Sequence, residues 1–127
     1  MNYPYYSYEF SPDCLRFEFD SISHDKHIRK VVQYTPLPIN SSIYNLGFGD
    51  LKDDGSIDDL VVSNNNDMEM ILATIVQTIL TFFERRPEKV IIFFGSTQSR
   101  TRLYQIVIAK FIAEAEPILE IRGIRNE

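Results

Sequence analysis

The sequence predicts an α+β fold: an antiparallel β-meander followed by α-β-α-β, with two helices packed on one face of the sheet. Two observations predict it. In residues 14–22, Leu15, Phe17 and Phe19 alternate with Arg16, Glu18 and Asp20, the period of a half-buried strand. Met68, Ile71, Leu72, Ile75, Ile79, Phe82 and Phe83 recur at three- and four-residue spacing, the stripe of a helix lying on a sheet. The first half of the chain is thus written in strand period and the second in helix period.

Residues 3–10 suit an edge strand, and the polar turn Ser23, His24, Asp25, Lys26 links the alternating strand to a second one over 28–34, which Pro36 and Pro38 end. A third strand covers 42–49, where Gly47 and Gly49 point to a bulge or a close backbone approach. Asp53, Asp54, Gly55 and Ser56 form a turn before a short extended piece over 57–62. Asn66, with Glu69 three residues later, reads as a helix cap, while Glu84-Arg85-Arg86 and Pro87 mark the helix end. Residues 89–94 return to strand, 98–115 form a second helix broken by Pro117, and 118–124 a last strand.

The 127 residues are 44% apolar and 13% aromatic, which suits one ordered domain spanning 1–127. A net charge of −5 argues against bulk binding of DNA or of acidic membranes. The lone Cys14 excludes an internal disulfide and fits a reducing, cytoplasmic setting. The first six residues lack the basic and apolar regions of a signal peptide, and no apolar run approaches the ~18 residues of a spanning helix.

The polar chemistry concentrates after the strand Val90 to Phe94, where Gly95, Ser96 and Thr97 lead into a helix opening with Arg100 and Arg102. At about 100° per residue, Arg100 shares a face with Leu103, Tyr104, Val107 and Phe111, and Arg102 lies on the polar side. A cation on a packing face needs a carboxylate or a bound anion. One reading makes Arg100 an internal lock against Asp50 or Asp59. The other makes Ser96, Thr97 and the helix N-terminus an anion nest, with Arg100 and Arg102 as its charged arms. The segment is neither a P-loop nor a nucleophile elbow. His24 and His27 read as solvated turn residues rather than zinc ligands. The acidic run 50–59 fails as a calcium loop, since Lys52 and Val61 stand where ligands belong, leaving at most a weak Mg²⁺ contact from Asp58 and Asp59. No cofactor or metal centre is expected.

The runs Tyr44-Asn45-Leu46-Gly47-Phe48-Gly49-Asp50, Asp58-Asp59, Ser63-Asn64-Asn65, Leu72-Ala73-Thr74 and Gly95-Ser96-Thr97 with Arg100-Thr101-Arg102-Leu103-Tyr104 resemble a family of small bacterial proteins, common in the Bacteroidetes, that forms a domain of unknown function. Asn66 departs from it where a small residue such as Gly is expected. The resemblance implies a bacterial, cytoplasmic, single-domain protein and carries over no activity, cofactor or catalytic residue.

Two functions stay open at this point. The first is binding of a phosphorylated ligand, a nucleotide or an RNA end, by Ser96, Thr97, Arg100 and Arg102, with Asn45, Asp50, Asp58 and Asp59 reading the rest. It requires the glycine turn and the acidic loop to converge. The second is a protein-interaction or regulatory module, a homodimer or hetero-complex, whose surface comes from Tyr3, Tyr5, Tyr6, Tyr8 and Phe10. The plainer role for those aromatics is an edge strand that feeds the core.

Overall fold

A computed structural model of the chain describes residues 4–23, 26–58 and 67–93. Strands β1 (Tyr8–Phe10), β2 (Arg16–Ile22), β3 (His27–Leu37), β4 (Asn40–Leu51) and β5 (Ile57–Asp58) follow one another across the sheet in chain order, every neighbour antiparallel. Helix α1 (Met68–Arg85) comes next, and β6 (Val90–Phe93) then returns to pair with β4 in parallel. The expected meander and first helix are therefore present, but the parallel β6 makes the sheet mixed. The described residues hold one helix, not two. The expected helix over 98–115 and strand over 118–124 lie outside the described residues.

Three local expectations need correction. Strand β3 continues through Pro36, which pairs with Tyr44 before the register shifts between Pro36 and Leu37. Strand β2 reaches only as far as Gln33, so β3 has a free edge there among the described strands, and a proline at such an edge removes no ladder bond. His27 begins β3 rather than sitting in a turn, and its Nε2 lies 3.3 Å from Asp20. The cap of α1 is Asp67, with Asn66 outside the described residues, and the Asp67 side chain makes no capping bond.

The core fills the space between α1 and one face of the sheet. Phe17, Phe19, Val32, Tyr34 and Leu46 project from the strands against Ile71, Leu72, Ile75, Ile79 and Phe82. Phe82 stacks on Tyr34 at 4.6 Å and meets Tyr44 edge-on at 5.1 Å. Polar groups inside this core are paired. The Thr78 hydroxyl donates to the Ile75 carbonyl at 2.7 Å, which leaves its oxygen to accept the Tyr34 phenol at 2.8 Å. Full burial pushes the Tyr34 phenol far above its ordinary pKa and keeps it a donor.

Candidate functional site

Strands β5 and β6 occupy the same edge of β4 from opposite directions. β6 runs parallel to β4 and ends with Phe93 opposite Leu46, while β5 runs antiparallel and ends with Asp58 opposite Asp50. Their carboxyl ends thus face each other across Gly47, Phe48 and Gly49, with which no described strand pairs on that edge. Four strand positions separate the two ends, about 13 Å. Gly49 is required here by close approach: a Cβ on it would lie 2.5 Å from the Asp58 carbonyl oxygen and 2.7 Å from Ile57.

The register carries one continuous rung across five strands, Tyr8, Phe19, Lys30, Asp50 and Asp58. Directly opposite residues share a face, so Lys30, Asp50 and Asp58 sit side by side on the helix face. Lys30 is buried on that face and its Nζ contacts Asp50 Oδ1. The ammonium also lies 5.9 Å from the Phe48 ring centroid. Asp50 and Asp58 thus put two carboxylates side by side on the rung, next to the Lys30 ammonium.

A second polar cluster adjoins it at the start of α1. Asp67 Oδ2 accepts the Tyr6 and Ser21 hydroxyls, both at 2.5 Å, and the Ile22 N–H donates to the Tyr6 oxygen at 3.3 Å. The Tyr6 N–H donates to Thr74 Oγ1 at 2.9 Å and its ring stacks on Phe19 at 5.8 Å. Asp67 Oδ1 is buried with no hydrogen-bond partner among the described residues. Desolvation and the bond to Asp67 both raise the Tyr6 phenol pKa, so it stays a donor.

Of the expected site residues, Asn45 and Asp50 are described, and they are not brought together. Asn45 pairs with Thr35 and Ile92 on the face away from α1, whereas Asp50 faces α1. Asn45 Oδ1 is buried with no hydrogen-bond partner among the described residues. Asp58 joins Asp50 on the rung. Asp59, Ser96, Thr97, Arg100 and Arg102 lie outside the described residues. Lys30, Ser21 and Asp67 are the polar residues that sequence reasoning missed. Lys30 stands two and four residues before Val32 and Tyr34, and Ser21 two after Phe19, so strand period alone places both on the apolar face.

Elsewhere the described polar groups serve structure. On the opposite sheet face Arg29 pairs with Glu9, Glu18 and Asp20, and Arg16 with Glu18. A pocket of about 290 Å³ at the β1 edge is lined by Glu9, Phe10, Ser11, Arg16 and Glu18, whose charges are already used in this network. No group of three or more His, Cys, Asp or Glu among the described residues is arranged to hold a metal. No described helix is long and apolar enough to cross a membrane. Of the N-terminal aromatics, Tyr6 and Tyr8 pack against the core, while Tyr5 and Phe10 are exposed.

Fold and edge together define a helix-on-sheet α+β domain whose polar chemistry collects where two strands end against a third. The chain belongs to DUF6934, a family of unknown function, whose model matches residues 2–127. No curated protein and no solved structure matches it.

Proposed function

We propose that this chain binds a phosphorylated ligand at the open edge of β4, as a binding protein of the bacterial cytoplasm rather than an enzyme. The observation that carries the reading is the convergence of β5 and β6. β5 is the last stretch of the acidic run and carries Asp58, and β6 runs towards the glycine turn, the two segments the reading requires in one place. Asp59 follows Asp58 directly, and covalent reach limits Ser96 to about 11 Å from Phe93. Ser96, Thr97 and the helix that starts after them take the phosphate, with Arg100 and Arg102 as cations. The acceptor-rich rung of Asp50 and Asp58 takes hydrogen-bond donors on the rest of the ligand, as a nucleoside offers.

A thermal-shift titration of wild type and Arg102→Ala with inorganic phosphate, the nucleoside 5′-monophosphates and short RNA tests this. The expected result is a concentration-dependent rise in Tm that Arg102→Ala reduces. No shift with any of these anions overturns it. The alternative, an interaction module in which Arg100 is an internal lock, draws support from two exposed aromatics, Phe10 on edge strand β1 at 57% and Tyr5 at 47%. A homodimer or a stable hetero-complex that Phe10→Ser disrupts would favour it.

A further inference from the structure

Strand β1 has β2 and β3 between it and the β4 edge, so a surface on its outer side is independent of the phosphorylated-ligand reading. No described strand pairs with that outer side. The Ser11 N–H donates to the Arg16 carbonyl at 2.9 Å. Bonded and non-bonded pairs alternate in an antiparallel ladder, so Glu9 and Glu18 form the next bonded pair. Tyr8 and Phe10 therefore turn their N–H and C=O groups outward. The free edge ends with them, because Pro12 has no N–H and the Tyr6 N–H is given to Thr74 Oγ1 at 2.9 Å. We propose that this edge takes an extended peptide as an added antiparallel strand, with a Lys or Arg opposite Glu9 and an apolar residue on each side of it. Main-chain bonds to Tyr8 and Phe10 supply affinity, and alternate side chains supply selectivity. The residues opposite Tyr8 and Phe10 fall on the helix face, beside a Phe10 ring that is 57% exposed. The residue opposite Glu9 falls on the ladder face, where the cavity of about 290 Å³ is lined by Glu9, Ser11, Arg16 and Glu18. The charge balance there selects a cation. Three carboxylates, Glu9, Glu18 and Asp20, meet two guanidinium groups, Arg16 and Arg29, while His27 lies beside Asp20. Glu9 engages Arg29 through Oε1 and its side chain is 78% exposed, so its second oxygen can take an incoming donor. A second copy of this chain fits worse, because two-fold pairing through Tyr8 and Phe10 sets two Glu9 carboxylates opposite each other.

The test is an NMR titration of the full chain, following backbone amide shifts, with three capped peptides. They are Thr-Val-Arg-Val-Thr, its counterpart Thr-Val-Glu-Val-Thr, and the arginine peptide N-methylated at both valines. The arginine peptide should shift the Tyr8 and Phe10 amides and bind about five-fold or more tightly than the glutamate peptide, the range of one favourable against one unfavourable cross-strand charge pair. N-methylation should abolish binding, since it removes the donors that meet the Tyr8 and Phe10 carbonyls. Glu9→Lys should reverse the preference, and Glu9→Gln, the milder change for the Arg29 network, should remove most of it. No shift at β1, equal affinity for the arginine and glutamate peptides, or a preference that survives in folded Glu9→Gln overturns the proposal. A dimer that shifts the β1 amides without peptide, and that Glu9→Gln tightens, assigns the edge to a second copy and overturns it too.

Discussion

The two faces of the sheet are built from alternate residues of the same strands, yet they do different work. On the helix face, Phe17, Phe19, Val32, Tyr34 and Leu46 are lost to water and packed against α1. On the other face, residues one step away form an ion ladder in which Arg29 meets Glu9, Glu18 and Asp20. Burial of apolar area is worth much per residue, and part-exposed ion pairs are worth little. The difference teaches where polar residues are informative. Charges on the ladder face are ordinary, but Lys30, Asp50 and Asp58 on the core face mark an exception that needs a reason.

The largest effect should come from the centre of the core face. Phe82 is fully buried, stacked on Tyr34 and met edge-on by Tyr44 and Phe83, and the Arg86 guanidinium lies 5.6 Å from its ring. Phe82→Ala should cost about 3–5 kcal/mol in urea denaturation. A loss below about 1 kcal/mol would mean that α1 is not held by this face.

Next comes the edge where the faces meet the site. Gly49→Ala puts a methyl carbon against the Asp58 backbone, which cannot swing away as a flexible side chain could. It should cost about 1–3 kcal/mol. Hydrogen exchange should locate the disturbance at β5, with the β2–β3 pairing protected as before. Equal disturbance of β2 and β3 would show that β5 is no separate, edge-placed element.

A smaller effect separates packing from polarity within the core. Tyr34→Phe keeps the ring and removes a phenol whose acceptor, Thr78, keeps its own bond to Ile75. About 1 kcal/mol is expected by chemical denaturation. A loss as large as that of Phe82→Ala would mean that the hydroxyl pair, and not the rings, organises the core.

How much of this was legible follows from the same contrast. Strand alternation in Leu15 to Asp20 and the stripe from Ile71 to Phe82 reveal β2 and α1 because each pattern repeats one local rule. Pro36 misled because its effect depends on whether a neighbouring strand is present, and β2 stops short of it. The cap at Asp67 was misplaced because Asn66 and Asp67 are equally good caps locally, and only the fold shows the Asp67 carboxylate spent on Tyr6 and Ser21. At the site, Asn45 and Asp50 were grouped by nearness in sequence. Their five-residue spacing sets them on opposite faces of one strand, a direct consequence of the two-residue strand period. The partnership of Lys30 with Asp50 joins residues twenty apart and needs the register of β3 on β4.

The smallest effect should belong to the ladder face, and its pH dependence tests whether charge is what Arg29 contributes there. Desolvation raises the Glu18 carboxyl, but hydrogen bonds from Arg16 and Arg29 outweigh it and hold the pKa below the ordinary value. Asp20 is likewise raised by desolvation and brought below its ordinary value by bonds from Arg29 and His27. A carboxyl whose folded pKa is depressed contributes stability above its unfolded pKa and loses it as pH falls through the folded one. Arg29→Ala should therefore cost less than about 1 kcal/mol at neutral pH. That gap to wild type should close below about pH 4 and shrink in 1 M salt. A gap that persists at low pH and high salt would assign the value of Arg29 to its aliphatic stem lying along the strands. The ladder face would then be a second packing surface, and the contrast between the two faces would lose its electrostatic half.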